Sequence, residues 1–269
     1  MNSNSEKEEF NESYLINNYE EVINALKSND KVSIIDSLTK LRNSLPEQTV
    51  LSSATLEAKS SLERFKKHTE LLLSCISESQ FFRKGVTPEE ATKDAYALYL
   101  HSIDIWRVAV NMFHNKFYPL ATFLAIVSLE ESAKVIVLCF EILSGHKTEK
   151  LSGKQRKNPL FSHPSKHLLA GMSGLLVNAR ADSILGLQCV LDFLDLIEKG
   201  RLESLRQSCL YADIQGDKLL LPQSLHDADS SSRYIAIAGE VIGESFFTQL
   251  DSPFMKELQT FEDDFLNGK

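Results

Sequence analysis

Three short polar segments, far apart in the chain, hold the residue types that could do acid–base or anion chemistry. The first is Glu130-Glu131-Ser132-Ala133-Lys134, set within the otherwise apolar run PLATFLAIVSLEESAKVIVLCFEIL. Glu130 and Lys134 are four apart, so on a helix they share a face in the favourable order, glutamate first. They form either an exposed strip on a mostly buried helix or a charge cluster inside a bundle. In the second case an unpaired charge is costly, so partners from other helices are required and the cluster marks a functional site. The second segment is His163-Pro164-Ser165-Lys166-His167. His163 and Lys166 are three apart at a helix start. They either point into one groove beside the positive helix N-terminus, which favours anions, or stand in a solvated turn. The third runs from Leu205 to Asp213, where Arg206, Tyr211 and Asp213 close a helix and open a turn. It is either part of a site or a helix end with a structural tyrosine.

Other chemistries find little footing. Cys75, Cys139, Cys189 and Cys209 are widely spaced, with no Cys-x-x-Cys pair and no zinc-ligand pattern. Glu130 or Glu131 with His163 is the one conceivable ligand set, and neither a metal nor a cofactor is expected. No Gly-x-Ser-x-Gly elbow occurs, and Gly171-Met172-Ser173-Gly174 lacks the lysine of a phosphate loop. His68, His101 and His114 sit beside apolar neighbours and read as packed or surface histidines. The aromatic residues fall on helix faces, hence in the core.

The elements that must position these segments are helical. The chain has 269 residues, 43% of them apolar and 25% charged, with only 11 Gly and 7 Pro, a composition against a sandwich, a barrel or a disordered chain. The net charge of −8 means that the whole surface is no trap for nucleic acid. The acidic, polar start and the spread cysteines point to a reduced, cytoplasmic protein. The run from Phe117 to Leu129 is too short to cross a bilayer, so no membrane partner is expected. Three amphipathic helices are expected over 14–27, 32–43 and 54–82. Thr87-Pro88-Glu89-Glu90 is a capping box with proline at the first helical position, so a long helix starts at Pro88 and runs towards His114. A second runs from about Pro119 to Leu143 and stops at Ser144-Gly145. A basic loop follows, with Lys147, Lys150, Lys154, Arg156 and Lys157 against Glu149. A helix then begins near Pro164, and its periodicity reaches about Glu198 with a break near Asp182. Further helical segments hold Leu202, Leu205 and Leu210, then about Ser224 to Phe247, then the chain end. Asp213–Pro222 reads as a turn, and no alternation supports a sheet. The expectation is an all-α bundle: a helical extension over 1–85, a main domain over 86–250, and a C-terminal helix and tail over 251–269.

The ordered set of segments resembles the AbiV family of abortive-infection proteins, helical relatives of the HEPN superfamily. The likeness covers roughly Thr87 to Gly243. It rests on AYALYLHSIDIWRVAVNMFHNKFYPLATFLAIVSLEESAKVIVL, the His-x-x-Lys helix start, the Arg-x-x-x-Leu-Tyr-x-Asp turn and LPQSLHDADSSSRYIAIAGEVI. Glu130, Glu131 and Lys134 match the family's Glu-Glu-x-x-Lys helix, with Ser132-Ala133 where glycine often precedes the lysine. His163 and Lys166 match the second segment. Arg206, Tyr211 and Asp213 match the third, with Ala212 where valine is commoner. HEPN ribonucleases pair an arginine and a histidine separated by four to six residues, and Arg107…His114 and Arg156…His163, each with six residues between, fit that spacing literally, although Arg107 is followed by Val-Ala-Val rather than a polar residue. The resemblance implies a HEPN-like helical bundle with an N-terminal helical extension, acting in antiphage defence by arresting host growth or translation. It implies RNA as a partner and a homodimer with the site at its interface. If the effector step is metal-independent RNA cleavage, His163 would serve as acid or base, Arg206 and Lys166 would hold phosphate, and Glu130 or Glu131 would orient the base or pair with lysine. Lys134, Tyr211 and Asp213 would complete substrate binding. The competing expectation is a non-enzymatic helical module that acts by binding a phage or host protein.

Overall fold

The computed structural model describes residues 87–144, 162–175, 178–245 and 252–265, with a few isolated positions earlier in the chain. The expected helices over 14–27, 32–43 and 54–82 and the basic loop lie outside the described residues. Apart from Leu143 and Ser144, the described residues from Thr87 onward belong to one unit, Gln80–Ile142 with His146–Lys269. Helix α1 (Pro88–His114) starts where the capping box requires. The Glu90 amide donates to Thr87 Oγ1 at 3.2 Å and the Thr87 amide to Glu90 Oε2 at 2.9 Å. Lys116, at φ 65°, turns the chain sharply into α2 (Tyr118–Ser144). There follow α3 (His163–Leu175), α4 (Ala179–Leu185), α5 (Leu187–Glu198) and α6 (Arg201–Ser208). The chain continues through a hairpin of β1 (Asp213–Gln215) and β2 (Lys218–Leu220), then α7 (Pro222–Leu225), α8 (Ala228–Ser245) and α9 (Pro253–Phe265). The described residues are thus nearly all helical, as an all-α, HEPN-like fold requires.

Three boundaries differ from the sequence reading. The break expected near Asp182 lies on either side of it. Asn178 caps α4 by accepting from the Ala181 amide at 3.0 Å, and Gly186, at φ 82°, ends it. Helix α6 closes at Ser208, which leaves Leu210 exposed beyond it. The segment read as a turn is an antiparallel hairpin pairing Asp213 with Leu220, Ile214 with Leu219 and Gln215 with Lys218. Gly216 supplies the positive φ of 62° at its bend. Strands of three residues are too short to show a period of two.

Helix α8 is central and packs against α1, α3, α4 and α9. Its small residues permit close crossings. A Cβ on Gly239 would sit 2.4 Å from Leu258 Cδ1, and one on Gly174 of α3 would sit 2.8 Å from the Val241 backbone. Trp106 of α1 is buried here, donating from Nε1 to the Ile235 carbonyl at 2.8 Å and meeting Phe254 and Phe261 of α9 edge-on. Helix α2 runs alongside α8, with Thr122 Oγ1 and Ser231 Oγ 2.9 Å apart.

The α9 side also carries a buried ion cluster. Arg180 of α4 pairs with Glu240 of α8 and, at 2.6 Å, with Glu262 of α9, while Asn178 Nδ2 donates to Glu240 at 3.1 Å. Glu244 and Asp263 add further negative charge nearby. One guanidinium cannot satisfy this many carboxylates. Burial therefore pushes the Glu262 carboxyl up to about 7, against the pull of Arg180. A proton held more tightly in the folded state stabilises fully below the ordinary carboxylate range, and that contribution is lost as pH rises through about 7. Relative to Glu262→Gln, the wild type should therefore lose about 3 kcal/mol of stability between pH 4 and pH 8, measured by urea denaturation. A pH-independent difference between the two proteins would contradict this account of the cluster.

Candidate functional site

The site is built around one carboxylate. Helix α2 is apolar nearly all round, and Glu130 lies on a buried face of it, only 3% exposed. A charge there needs partners, and α3 supplies three from its first turn and a half. His163, Lys166 and His167, at i, i+3 and i+4, share one face of that helix. His163 Nδ1 lies 2.7 Å from Glu130 Oε2, Lys166 Nζ 2.8 Å from the same oxygen, and His167 Nε2 2.9 Å from Oε1. Arg206 of α6 approaches Oε1 with Nε at 3.6 Å.

The electrostatics follow from that geometry. Burial alone would raise the Glu130 carboxyl, and it is the largest single influence. The hydrogen bonds from His167 and Lys166, with their charge, together outweigh it and hold the carboxyl at about 2. Glu130 is therefore ionised and can only accept. It follows that His163 carries its hydrogen on Nδ1 and His167 on Nε2. His163 then presents its other nitrogen, Nε2, as a lone pair whenever the ring is neutral. The His163 side chain is 42% exposed, the most open group of the cluster, whereas His167 is 1% exposed and serves only the carboxylate.

Arg206 is held from a second side. Glu203, one turn earlier on α6, takes its Nε and Nη2 at 2.9 and 2.8 Å, and Gln207 donates to Glu203 at 2.8 Å. The guanidinium carbon stands 5.9 Å from the Phe123 ring centroid. The hydrogen bond from Arg206 is the main reason that the Glu203 carboxyl is held below its ordinary range. Thus α2, α3 and α6 bring Glu130, His163, Lys166 and Arg206 into one cluster.

The remaining residues singled out in the sequence lie elsewhere. Lys134 does not pair with Glu130; it bonds Glu131 at 2.6 and 2.7 Å, at a spacing of three. Adjacent helix positions point about 100° apart, so Glu131 faces away when Glu130 faces in. Tyr211 is 66% exposed, and Asp213 accepts from the Ile214 amide at the start of the hairpin. Arg107 is bound by Glu257 at 2.8 Å through both Nε and Nη2, and His114 packs edge-on against Phe265. Both line a cavity of about 270 Å³ between α1 and α9, which shares no residue with the Glu130 cluster. Arg156 lies outside the described residues. Sequence reasoning missed His167 and Glu203. The first is legible as the i+4 neighbour of His163, the second as the i−3 neighbour of Arg206.

A metal fits this donor set poorly. Glu130, His163 and Glu203 offer ligand atoms all within 4.8 Å of one another. Yet the oxygens of Glu130 already face His163, Lys166, His167 and Arg206, so an entering cation would have to displace existing ones. Two permanent cations and two titratable histidines around two carboxylates suit an anion better. Nor is Cys209 a nucleophile: burial pushes its thiol up to about 12 although His226 Nε2 lies 3.5 Å away.

A family model described as AbiV matches residues 90–243, a span that contains every member of the cluster. No curated protein and no solved structure matches the chain.

Glu130→Ala leaves Lys166 and His167 buried without an acceptor and should cost about 3–5 kcal/mol in urea denaturation. Glu131→Ala, which breaks a part-buried pair within one helix, should cost less, about 1 kcal/mol. The Glu130 contribution is complete above its ordinary carboxyl range and fades as pH falls towards 2, so the gap between Glu130→Ala and wild type narrows in acid. Equal costs for the two substitutions would remove Glu130 from the centre of the site.

Proposed function

The chain belongs to the AbiV family of HEPN-like proteins, whose setting is abortive infection and antiphage defence, and from that membership we propose that it is an effector acting on RNA through the Glu130 cluster. The observation that carries the reading is a carboxylate–imidazole pair beside an arginine with one unbonded nitrogen among the described residues. Glu130 fixes His163 through Nδ1, so Nε2 faces outward as a base. Arg206 spends Nε and Nη2 on Glu203, and its Nη1 has no partner among the described residues.

These parts match what metal-independent cleavage of an RNA phosphodiester needs. His163 Nε2 removes the proton of the ribose 2′-hydroxyl as its oxygen attacks phosphorus. Arg206 Nη1, with Lys166 behind it, offsets the charge gathering on the phosphate oxygens. The P–O5′ bond breaks, and the leaving oxygen takes a proton from solvent. The basic run from Lys147 to Lys157 has the charge to follow an RNA backbone. Tyr211, exposed shortly after Arg206, offers a ring on which a base can stack. In this reading residues 86–250 are the effector, which works in the cytoplasm as a homodimer, while residues 1–85 serve as sensor, lid or dimerisation arm.

One feature favours a second reading, that of a module inhibitory by binding a phage or host protein. The hairpin exposes Ile214 and Leu219 at 72% and 62%, opposite one another on its two strands. Paired exposed apolar residues of this kind mark interaction surfaces.

His163→Ala and Arg206→Ala separate the readings. In chelator-containing buffer the wild type should degrade single-stranded RNA, and His163→Ala should slow this about 10²–10⁴-fold. Arg206→Ala should weaken RNA retention and abolish toxicity in cells. Unchanged cleavage in both variants would overturn the assigned roles. Intact RNA with the wild type, together with toxicity lost in Ile214→Asp, would favour the binding module.

A further inference from the structure

We propose that Glu203 is a positioning residue, holding Arg206 off Glu130 so that one edge of the guanidinium stays open for an anion. The proposal rests on the reading of Arg206 as a phosphate clamp and extends it to a residue outside that machinery.

Arg206 stands between two carboxylates. One is Glu203, bonded through two parallel contacts at 2.8 and 2.9 Å; the other is Glu130, 3.6 Å from Nε. The two-point fork is the stronger geometry and fixes the guanidinium plane as well as its distance. Glu203 is itself held, since Gln207 donates to its Oε1 at 2.8 Å. Helix α6, which carries all three residues, is anchored by Leu202, which is fully buried. Without Glu203, Glu130 is a carboxylate already within reach of Arg206, 3.6 Å from Nε. Turning towards it, the guanidinium would compete with His167 for Oε1 and draw Nη1 into the cluster. The anion site would close, and the carboxylate that orients His163 would be shared one more way.

This role has an unusual sign. Glu203 is a negative charge beside a site for anions. Were it merely a neighbouring charge, neutralising it would strengthen anion binding. If it positions Arg206, neutralising it weakens anion binding. Glu203 is half-buried at the surface of a short helix, so its replacement leaves the core untouched.

The test uses the full chain with Glu203→Gln, Glu203→Asp, Arg206→Ala and the double variant Glu203→Gln/Arg206→Ala. The probe is a single-stranded 2′-O-methyl oligoribonucleotide, which cannot be cleaved through the 2′-hydroxyl. Hydrogen exchange at Arg206 Nε, followed by ¹⁵N NMR, is measured alongside. Both Glu203 variants should weaken binding about tenfold, with Nε–H exchange accelerated in each. The double variant should bind no more weakly than Arg206→Ala alone. Binding unchanged or tightened in Glu203→Gln, or unchanged Nε–H exchange, overturns the proposal. If wild type and Arg206→Ala retain the probe equally, the RNA reading falls, and the exchange rate alone then judges Glu203: faster supports the positioning role, unchanged refutes it.

Discussion

The constraint on which the site depends is the burial of one ionised carboxylate in an apolar helix. A carboxylate taken from water loses hydration worth several kcal/mol even after the protein relaxes, and only partners with good geometry offset it. Glu130 fixes where those partners must be. Helix α3 has to begin beside the middle of α2, so that its first polar residues, His163, Lys166 and His167, reach one carboxyl group before the helix turns apolar at Leu168. The close crossing of α3 over α8, possible because Gly174 has no side chain, sets α3 at the depth where this happens. A buried ionic cluster is seldom the cheapest way to stabilise a core, because apolar side chains of similar volume commonly do as well or better. Its presence here is therefore better explained by use than by stability.

The same unit holds a second buried ion cluster of opposite balance, and the contrast defines the first. Around Glu130, two permanent cations and two imidazoles share two carboxylates, and the Glu130 carboxyl is held at about 2. Around Arg180, carboxylates outnumber cations, and Glu262 is pushed up to about 7. The Arg180 cluster ties α9 to α4 and α8, and its carboxylates Glu240 and Glu262 are almost wholly buried. The Glu130 cluster opens to solvent through His163. Carboxylates fully matched by cations, with one imidazole open to solvent, leave the proposed site free to take an anion. Excess negative charge without such an opening is a pH-sensitive joint.

Much of this was legible in sequence because the determinants were local. The Thr87 capping box, the proline that opens α2 and the helical spacing of apolar residues each act within a few positions, and the structure places the long helices accordingly. The convergence of three segments was legible in another way, from the rule that charges within apolar helices need partners. What stayed hidden was long-range choice. Whether Glu130 or Glu131 turns inward depends on how α2 is rotated against α3, and no local pattern decides it. Lys134 then follows Glu131, at a spacing of three rather than four. The hairpin escaped because three-residue strands hold too little periodicity, and its register depends on a glycine at the bend.

Two carboxylates in the cluster do different work. Glu130 sets the tautomer of His163 and is almost inaccessible; Glu203 sets the orientation of Arg206 from the side of the site. This division leaves a metal poorly served, although two carboxylates and an imidazole lie within coordinating distance. A divalent cation would need the same oxygens that hold Lys166 and Arg206, and would leave two positive side chains without partners beside a third positive charge. In the proposed reading a phosphodiester makes the opposite demand: it would bring one negative charge, accept from Nη1 of Arg206 and displace none of the contacts between Glu203 and Arg206. In the proposed reaction, protonation of His163 would add a positive charge beside Glu130, whose ionised carboxylate would stabilise it.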